Sequence, residues 1–235
     1  MARSLPRMNS EPPYTQHTPT RIRKRHSDNP DGSEQNGKAT DTRNQQYARI
    51  EKIAAALFAM KGFRAVGVAE ICSAVGLGRG ALYYYISSKE DLLFGIVARH
   101  IEALVTFGRD LLIQETQPQK RIRALSRHLT EMIAENLPEM TVCFREAECL
   151  TGQRHRIVSE LHRTYRNIWK DALADGTGKG LFRPLPAVAV NGILGMHFHS
   201  FLWLKSDPVS SSVDLAATFA DMAASIVESD VNSDL

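Results

Sequence analysis

The sequence predicts an all-α protein, and three observations carry that expectation. Apolar residues recur at helical spacing in stretch after stretch of the 235-residue chain. No segment alternates apolar and polar residues with the period of two that marks a half-buried strand. Turn-forming glycines and prolines fall between the periodic stretches, at Pro118, Pro138, Gly152, the run of Gly176, Gly178 and Gly180, Pro184 with Pro186, and Pro208. A composition of 43% hydrophobic and 23% charged residues is that of a folded domain and excludes disorder throughout.

The elements follow in order. Residues 1–40 hold five of the ten prolines and few large aliphatics beyond Leu5 and Ile22, too little apolar surface to offset ordering, so they read as a disordered basic tail. Within it Arg21, Arg23, Lys24 and Arg25 form either an arm that brushes a phosphate backbone or a merely solvated cluster. From Asp41 the period turns helical, with Tyr47, Ile50, Ile53, Ala54, Leu57 and Phe58 on one stripe and Gly62 as the stop. Two short helices follow, over 68–75 and 79–86, separated by Gly76, Leu77 and Gly78. Ser87 or Ser88, ahead of Glu90 and Asp91, caps a fourth helix running through Leu92, Ile96, Ile101 and Val105. Further helices are expected near 119–136, 138–150, 154–175, 186–205 and 212–227, with no internal repeat.

Charge is unevenly spread. The first 90 residues carry fourteen Lys and Arg against eight Asp and Glu, and the rest fifteen against eighteen. A polyanion-facing front and a differently employed remainder are implied. Cys72, Cys143 and Cys149 are an odd number without paired spacing, which argues against a disulfide framework or a zinc ribbon and fits a reducing cytoplasm. Arg3 and Arg7 have no apolar run behind them, so no signal peptide is expected. The longest apolar run, 188–204, is broken by Asn191, His197, His199 and two glycines, so no membrane association is expected.

Two short helices joined by three residues have the size of a helix-turn-helix, whose second helix can enter a DNA major groove. If Leu82 and Ile86 anchor that helix, Gly80, Ala81 and Tyr84 point outward with Tyr83 and Tyr85 on the flanks. Small residues let the backbone approach a duplex, and phenols reach phosphates or thymine methyls.

The run over 62–93, GFRAVGVAEICSAVGLGRGALYYYISSKEDLL, closely resembles the DNA-binding segment of TetR-family bacterial transcriptional regulators, in a match of about fifty residues from Arg43. The resemblance implies an N-terminal three-helix DNA-binding domain over 41–89 and a C-terminal helical ligand-binding and dimerisation domain over 90–235. The protein would be a repressor that binds a palindromic operator as a homodimer and is released by a small molecule. By family position the DNA contacts are Arg79, Tyr83, Tyr84, Tyr85 and Lys89, with Gly80 and Ala81 allowing close approach. The chain departs from the family at Val66 and Gly67, and at Gly78 and Ala81, where hydroxyls that could hold a phosphate are missing; Tyr83 and Tyr85 have packing against the first helix as their alternative role.

A fainter resemblance, carried by FREAECL at 144–150, by 165–169, by 180–184 and by the aromatic-rich 196–203, is to the branch of that family that senses acyl-CoA thioesters. It implies an apolar tunnel with cations at its mouth. Met132, Phe144, Trp169, Met196 and Phe198 are the expected lining, with Arg166 for the phosphates and Trp169 closing the mouth. Ordinary helical core is the alternative for the apolar set, and a free fatty acid or hydrophobic drug the alternative effector. In the last two helices Gly192, Gly195, Ala216, Ala220 and Ala223, with Phe201, Leu202 and Phe219, suggest close packing across a two-fold axis.

Other chemistry is not expected. His197 and His199 are two apart on a helix and so point about 200° apart, which keeps them from sharing a metal with His162 or Cys143. Neither a nucleophile elbow nor a phosphate loop is present, so the expectation is no enzyme, metal or cofactor; an all-α enzyme and a helical adaptor that binds no DNA are the alternatives.

Overall fold

The computed structural model describes residues 32–204 and 214–228, with side chains from residue 41 onward. Helix α1 (Gly32–Lys61) is followed by the short α2 (Val68–Val75) and α3 (Arg79–Tyr85) and the long α4 (Lys89–Gln114). Then come α5 (Pro118–Glu135), α6 (Leu137–Arg145), a 3-10 turn (Ala147–Cys149), α7 (Gly152–Gly178), α8 (Ala189–Phe198), α9 (Phe201–Leu204) and α10 (Leu215–Val227). An isolated antiparallel bridge joins Phe182 to Glu228.

Local chemistry explains the head of the fold. The stripe of α1 is buried at Ile50, Ala54 and Phe58. The helix stops at Gly62, whose φ of 85° suits only a residue without Cβ. Helix α2 ends in a Schellman motif: Gly76, at φ 74°, donates to Ser73 O and Leu77 donates to Cys72 O. Ser88 caps α4, its Oγ accepting from the Asp91 N–H at 3.0 Å while the Asp91 carboxylate accepts from the Ser87 N–H at 3.1 Å.

Helix α4 is the spine. It packs on α5, α6 and α7, while α10 lies along α5. Two glycines of the spine permit close approach. At Gly108 an added Cβ would sit 2.9 Å from Ile168 of α7, and at Gly95 it would sit 2.5 Å from Glu51 Oε1 and 2.7 Å from the Tyr47 hydroxyl of α1. That notch holds a nearly buried carboxylate, since Glu51 is 5% exposed and pairs through Oε2 with Arg99 of α4 at 2.5 Å.

The structure corrects several expectations. Helix α1 begins at Gly32 rather than Asp41, because a polar stretch without an apolar stripe carries no periodic signal. Residues 1–31, with the cluster at Arg21, Arg23, Lys24 and Arg25, lie outside the described residues. The helix expected over 138–150 divides into α6 and the 3-10 turn, and that over 186–205 into α8 and α9. Helix α7 runs through Gly176 to Gly178. Gly176 is no breaker but a contact, because the Phe182 ring lies where a Cβ would be, 2.0 Å away.

Candidate nucleic-acid interface and ligand cleft

Helix α3 presents one face inward and one outward. Leu82 is wholly buried and Ile86 is 2% exposed, so these two hold the helix to the core. Arg79, Gly80 and Ala81 are exposed, as are Tyr83 and, at 65%, Tyr84. The Arg43 guanidinium of α1 lies 5.2 Å from the Tyr84 ring centroid and that of Arg79 lies 5.9 Å from Tyr83, so cations flank the outward phenols. Tyr85 is half-buried, packs on the core and meets Tyr84 edge-on at 5.1 Å, so it is first of all a packing residue. Gly67 and Gly78 cap α2 and α3 without a side-chain hydrogen bond, which leaves backbone N–H groups at both helix starts for a partner to meet.

Lys89 is employed otherwise than the sequence predicts. Its ammonium donates to Phe63 O at 2.8 Å and Val66 O at 2.9 Å and lies 4.3 Å from the Phe63 ring centroid. Two of its three N–H groups are thereby spent on the loop before α2, making it a strap within the head rather than a free phosphate ligand.

A cleft of about 880 Å³ opens where α6 and α7 meet residues 198–202. Phe144, Phe198 and Phe201 form its aromatic side, with Phe144 centred 4.6 Å from Phe198 and 5.9 Å from Phe201. Arg145, His162, Arg163, Arg166 and His199 supply cationic or proton-accepting groups, and Glu148 is the one carboxylate of the lining. Of the expected ligand residues, Phe144, Phe198 and Arg166 are brought together here. Trp169 is not: it is fully buried, edge-on to Tyr165, and belongs to the core instead of closing a mouth. Met132 and Met196 are half-buried and also stand outside the lining. Arg145, His162, Arg163 and His199 also line this cleft, and the sequence pattern did not single them out for it; the signal present was the recurrence of basic residues at 162, 163 and 166 along one helix.

The expected dimer residues divide in a similar way. Ala216, Phe219, Ala220 and Ala223 are buried within the subunit, on the helix that lies along α5. Phe201 and Leu202 border the cleft. Gly192 is exposed and Gly195 half-exposed, and Val188, Leu202, Trp203 and Met222 are exposed apolar side chains. His197 is wholly buried, donating through Nδ1 to Ile193 O and accepting through Nε2 from Ser126 Oγ, each at 2.7 Å; burial holds its imidazole down at about 4. His199 faces the cleft. Among the described residues no three His, Cys, Asp or Glu side chains converge as metal ligands, and no helix is long and apolar enough to cross a membrane.

Residues 50–96 match the family profile of bacterial regulatory proteins of the tetR family, and residues 115–227 that of the tetracyclin repressor-like C-terminal domain. Over 148 residues, 62% of the chain, the sequence is 30% identical to the HTH-type transcriptional repressor KstR2 of Rhodococcus jostii (strain RHA1), covering 72% of that protein. The chain belongs to the TetR family. Its TetR fold superposes with a TM-score of 0.72 on the ketosteroid transcriptional regulator KstR2 of Mycobacterium tuberculosis, at 23% identity over 78% of this chain and 95% of that one. A TM-score of 0.68 relates it to AibR in complex with isovaleryl coenzyme A and operator DNA, at 24% identity over 78% of this chain and 98% of that one. As a TetR-family protein it is a transcriptional regulator and not an enzyme.

Proposed function

We propose that the protein is a homodimeric repressor that binds a palindromic operator through α3 and lets it go when an acyl-CoA thioester enters the cleft. The observation that carries the effector half of this reading is the composition of the cleft: three arginines line it together with a cluster of three phenylalanines. Phosphates and an adjoining apolar chain are the two chemistries such a site accepts. AibR, a structural neighbour, is described with both isovaleryl coenzyme A and operator DNA. The operator half rests on the exposed Arg79, Gly80, Ala81, Tyr83 and Tyr84, backed by Arg43.

Helix α4 offers the route between the two. It begins at Lys89, directly behind α3, and packs on α6 and α7, which line the cleft. A ligand that prefers a shifted α4 changes the spacing of the two reading heads and so weakens simultaneous docking on both half-sites. The exposed Val188, Gly192, Leu202, Trp203 and Met222 are the residues this reading offers to a two-fold interface.

The test is operator selection with purified protein followed by a screen of acyl-CoAs for release. Arg166→Ala is expected to leave operator binding intact and to raise the acyl-CoA concentration needed for release roughly tenfold or more, as a lost charge-assisted hydrogen bond of about 1.5 to 3 kcal/mol requires. Release by a free fatty acid or a cationic drug, with no response to any acyl-CoA, refutes the effector assignment and leaves the repressor standing.

A further inference from the structure

The cleft contains a titratable group whose surroundings set it apart from the other histidines. His162 lies on α7, half-buried, one turn before Arg166. The same cleft is lined by Arg163 and Arg166 on its own helix, Cys143 and Arg145 on α6, Glu148 on the 3-10 turn, and His199 beyond α8. Several of these charges are already engaged. Arg163 pairs with Glu160, Glu148 faces His155 Nε2 at 3.6 Å, and Arg145 reaches Ala59 O at 3.4 Å. Arg166 makes no ion pair among the described residues, and it is the cation beside His162. Burial first, and then the positive Arg166, hold the His162 imidazole below its ordinary 6.5, with Glu148 pulling the other way. The surroundings of His162 therefore favour its neutral form over the imidazolium.

We propose that His162 is the proton-coupled member of this anion site: a phosphate-bearing effector seated against Arg166 binds together with a proton taken up from water onto the His162 ring. The proposal rests on the reading of the cleft as the effector site and deepens it. An incoming phosphate screens Arg166 from the imidazole and adds its own attraction, and both changes favour the imidazolium. By linkage, whatever raises the proton affinity of His162 on binding strengthens binding as pH falls through the interval between the free and bound values. An uncharged apolar molecule gains nothing from this coupling, so His162 also selects against effectors without an anionic group.

Titration calorimetry with coenzyme A as the probe, near pH 7 in buffers of different ionisation enthalpy, counts the protons taken up. The wild type is expected to take up a substantial fraction of a proton more than His162→Gln. Protons exchanged by the probe's own phosphate, which titrates near pH 6, and by the other histidines are common to both proteins and cancel in the difference. Wild-type affinity is expected to fall more steeply from pH 6 to 8 than that of His162→Gln, by up to about tenfold per pH unit. His162→Arg, permanently charged, is expected to bind without the excess proton and to keep its affinity near pH 8. Equal proton uptake by the wild type and His162→Gln overturns the proposal while leaving the effector reading intact. Absence of binding by coenzyme A and by every acyl-CoA tested refutes that reading and the proposal with it.

Discussion

Replacing Glu51 by glutamine should stabilise this protein at neutral and alkaline pH, although Glu51 makes an ion pair. The carboxylate is 5% exposed, and its Oε1 has no hydrogen-bond partner of sound geometry, though the Tyr47 hydroxyl shares its notch. Arg99, its partner, has a side chain 54% exposed, so water dilutes the attraction. Burial wins over Arg99 and Tyr47, helped by the like charges of Asp91 and Glu139, and raises the acid from 4.5 to about 7. An acid whose folded value is raised weakens folding once it must ionise. The penalty is absent below about pH 4.5, grows as pH rises, and is complete above about pH 7. At about 1.36 kcal/mol per pH unit it amounts to on the order of 3 kcal/mol. Glutamine keeps the shape and removes the charge. Urea unfolding followed by circular dichroism, at matched protein concentration, measures the difference near pH 8 and near pH 5. Glu51→Gln is expected to exceed the wild type by about 2 to 3 kcal/mol at the higher pH and by less than about 1 kcal/mol at the lower. A loss at pH 8, or an equal difference at both, would refute the reasoning and show that the Arg99 pair outweighs burial.

Four further outcomes follow from the geometry. Gly176→Ala places a methyl inside the Phe182 ring and should cost about 1 to 3 kcal/mol despite the better helix propensity of alanine; an unchanged melting temperature would mean that the ring swings aside at no cost. Lys89→Met strands two carbonyls and should lower stability by about 1 to 3 kcal/mol. Undiminished stability together with a shallower salt dependence of DNA binding would return Lys89 to the phosphates. Arg79→Ala should leave the melting temperature alone and flatten the log-log salt slope of operator binding by about 1 for each phosphate that the guanidinium no longer neutralises; the same slope in both proteins would take Arg79 off the backbone. Leu202→Glu should yield a helical monomer in sedimentation, and a persisting dimer would place the two-fold axis elsewhere.

The parts of this fold that were legible in the sequence are those whose signals are local. Helix α2 has the expected bounds, and α3 and α4 nearly so, because Gly76, Gly78 and Ser88 act on backbone groups within a turn of themselves. The outward face of α3 was readable for the same reason: Leu82 and Ile86, four apart, leave only one side free. What failed depended on distant partners. Alanines at helical spacing announce that some backbone comes close, yet nothing in 216–223 names the partner, and it is α5 of the same subunit. Trp169 has the bulk of a tunnel wall and the bulk of a core residue alike, and only the packing around it decides. Gly176 read as a breaker because its role is set by Phe182, beyond the end of the helix.

The docking of α10 on α5 bears on how a second copy could meet this one. The alanine stripe is covered by a helix of the same chain, and Arg183 fastens the helix end by donating through its backbone N–H to Val227 O and through Nε to Ile226 O. Closing the alanine stripe therefore asks nothing of a second copy, so in the proposed dimer the two copies would meet through surfaces each has completed by itself. For such a dimer, mixed species between two variants should form on simple mixing, and a need for denaturant before exchange would show that the copies share an interior.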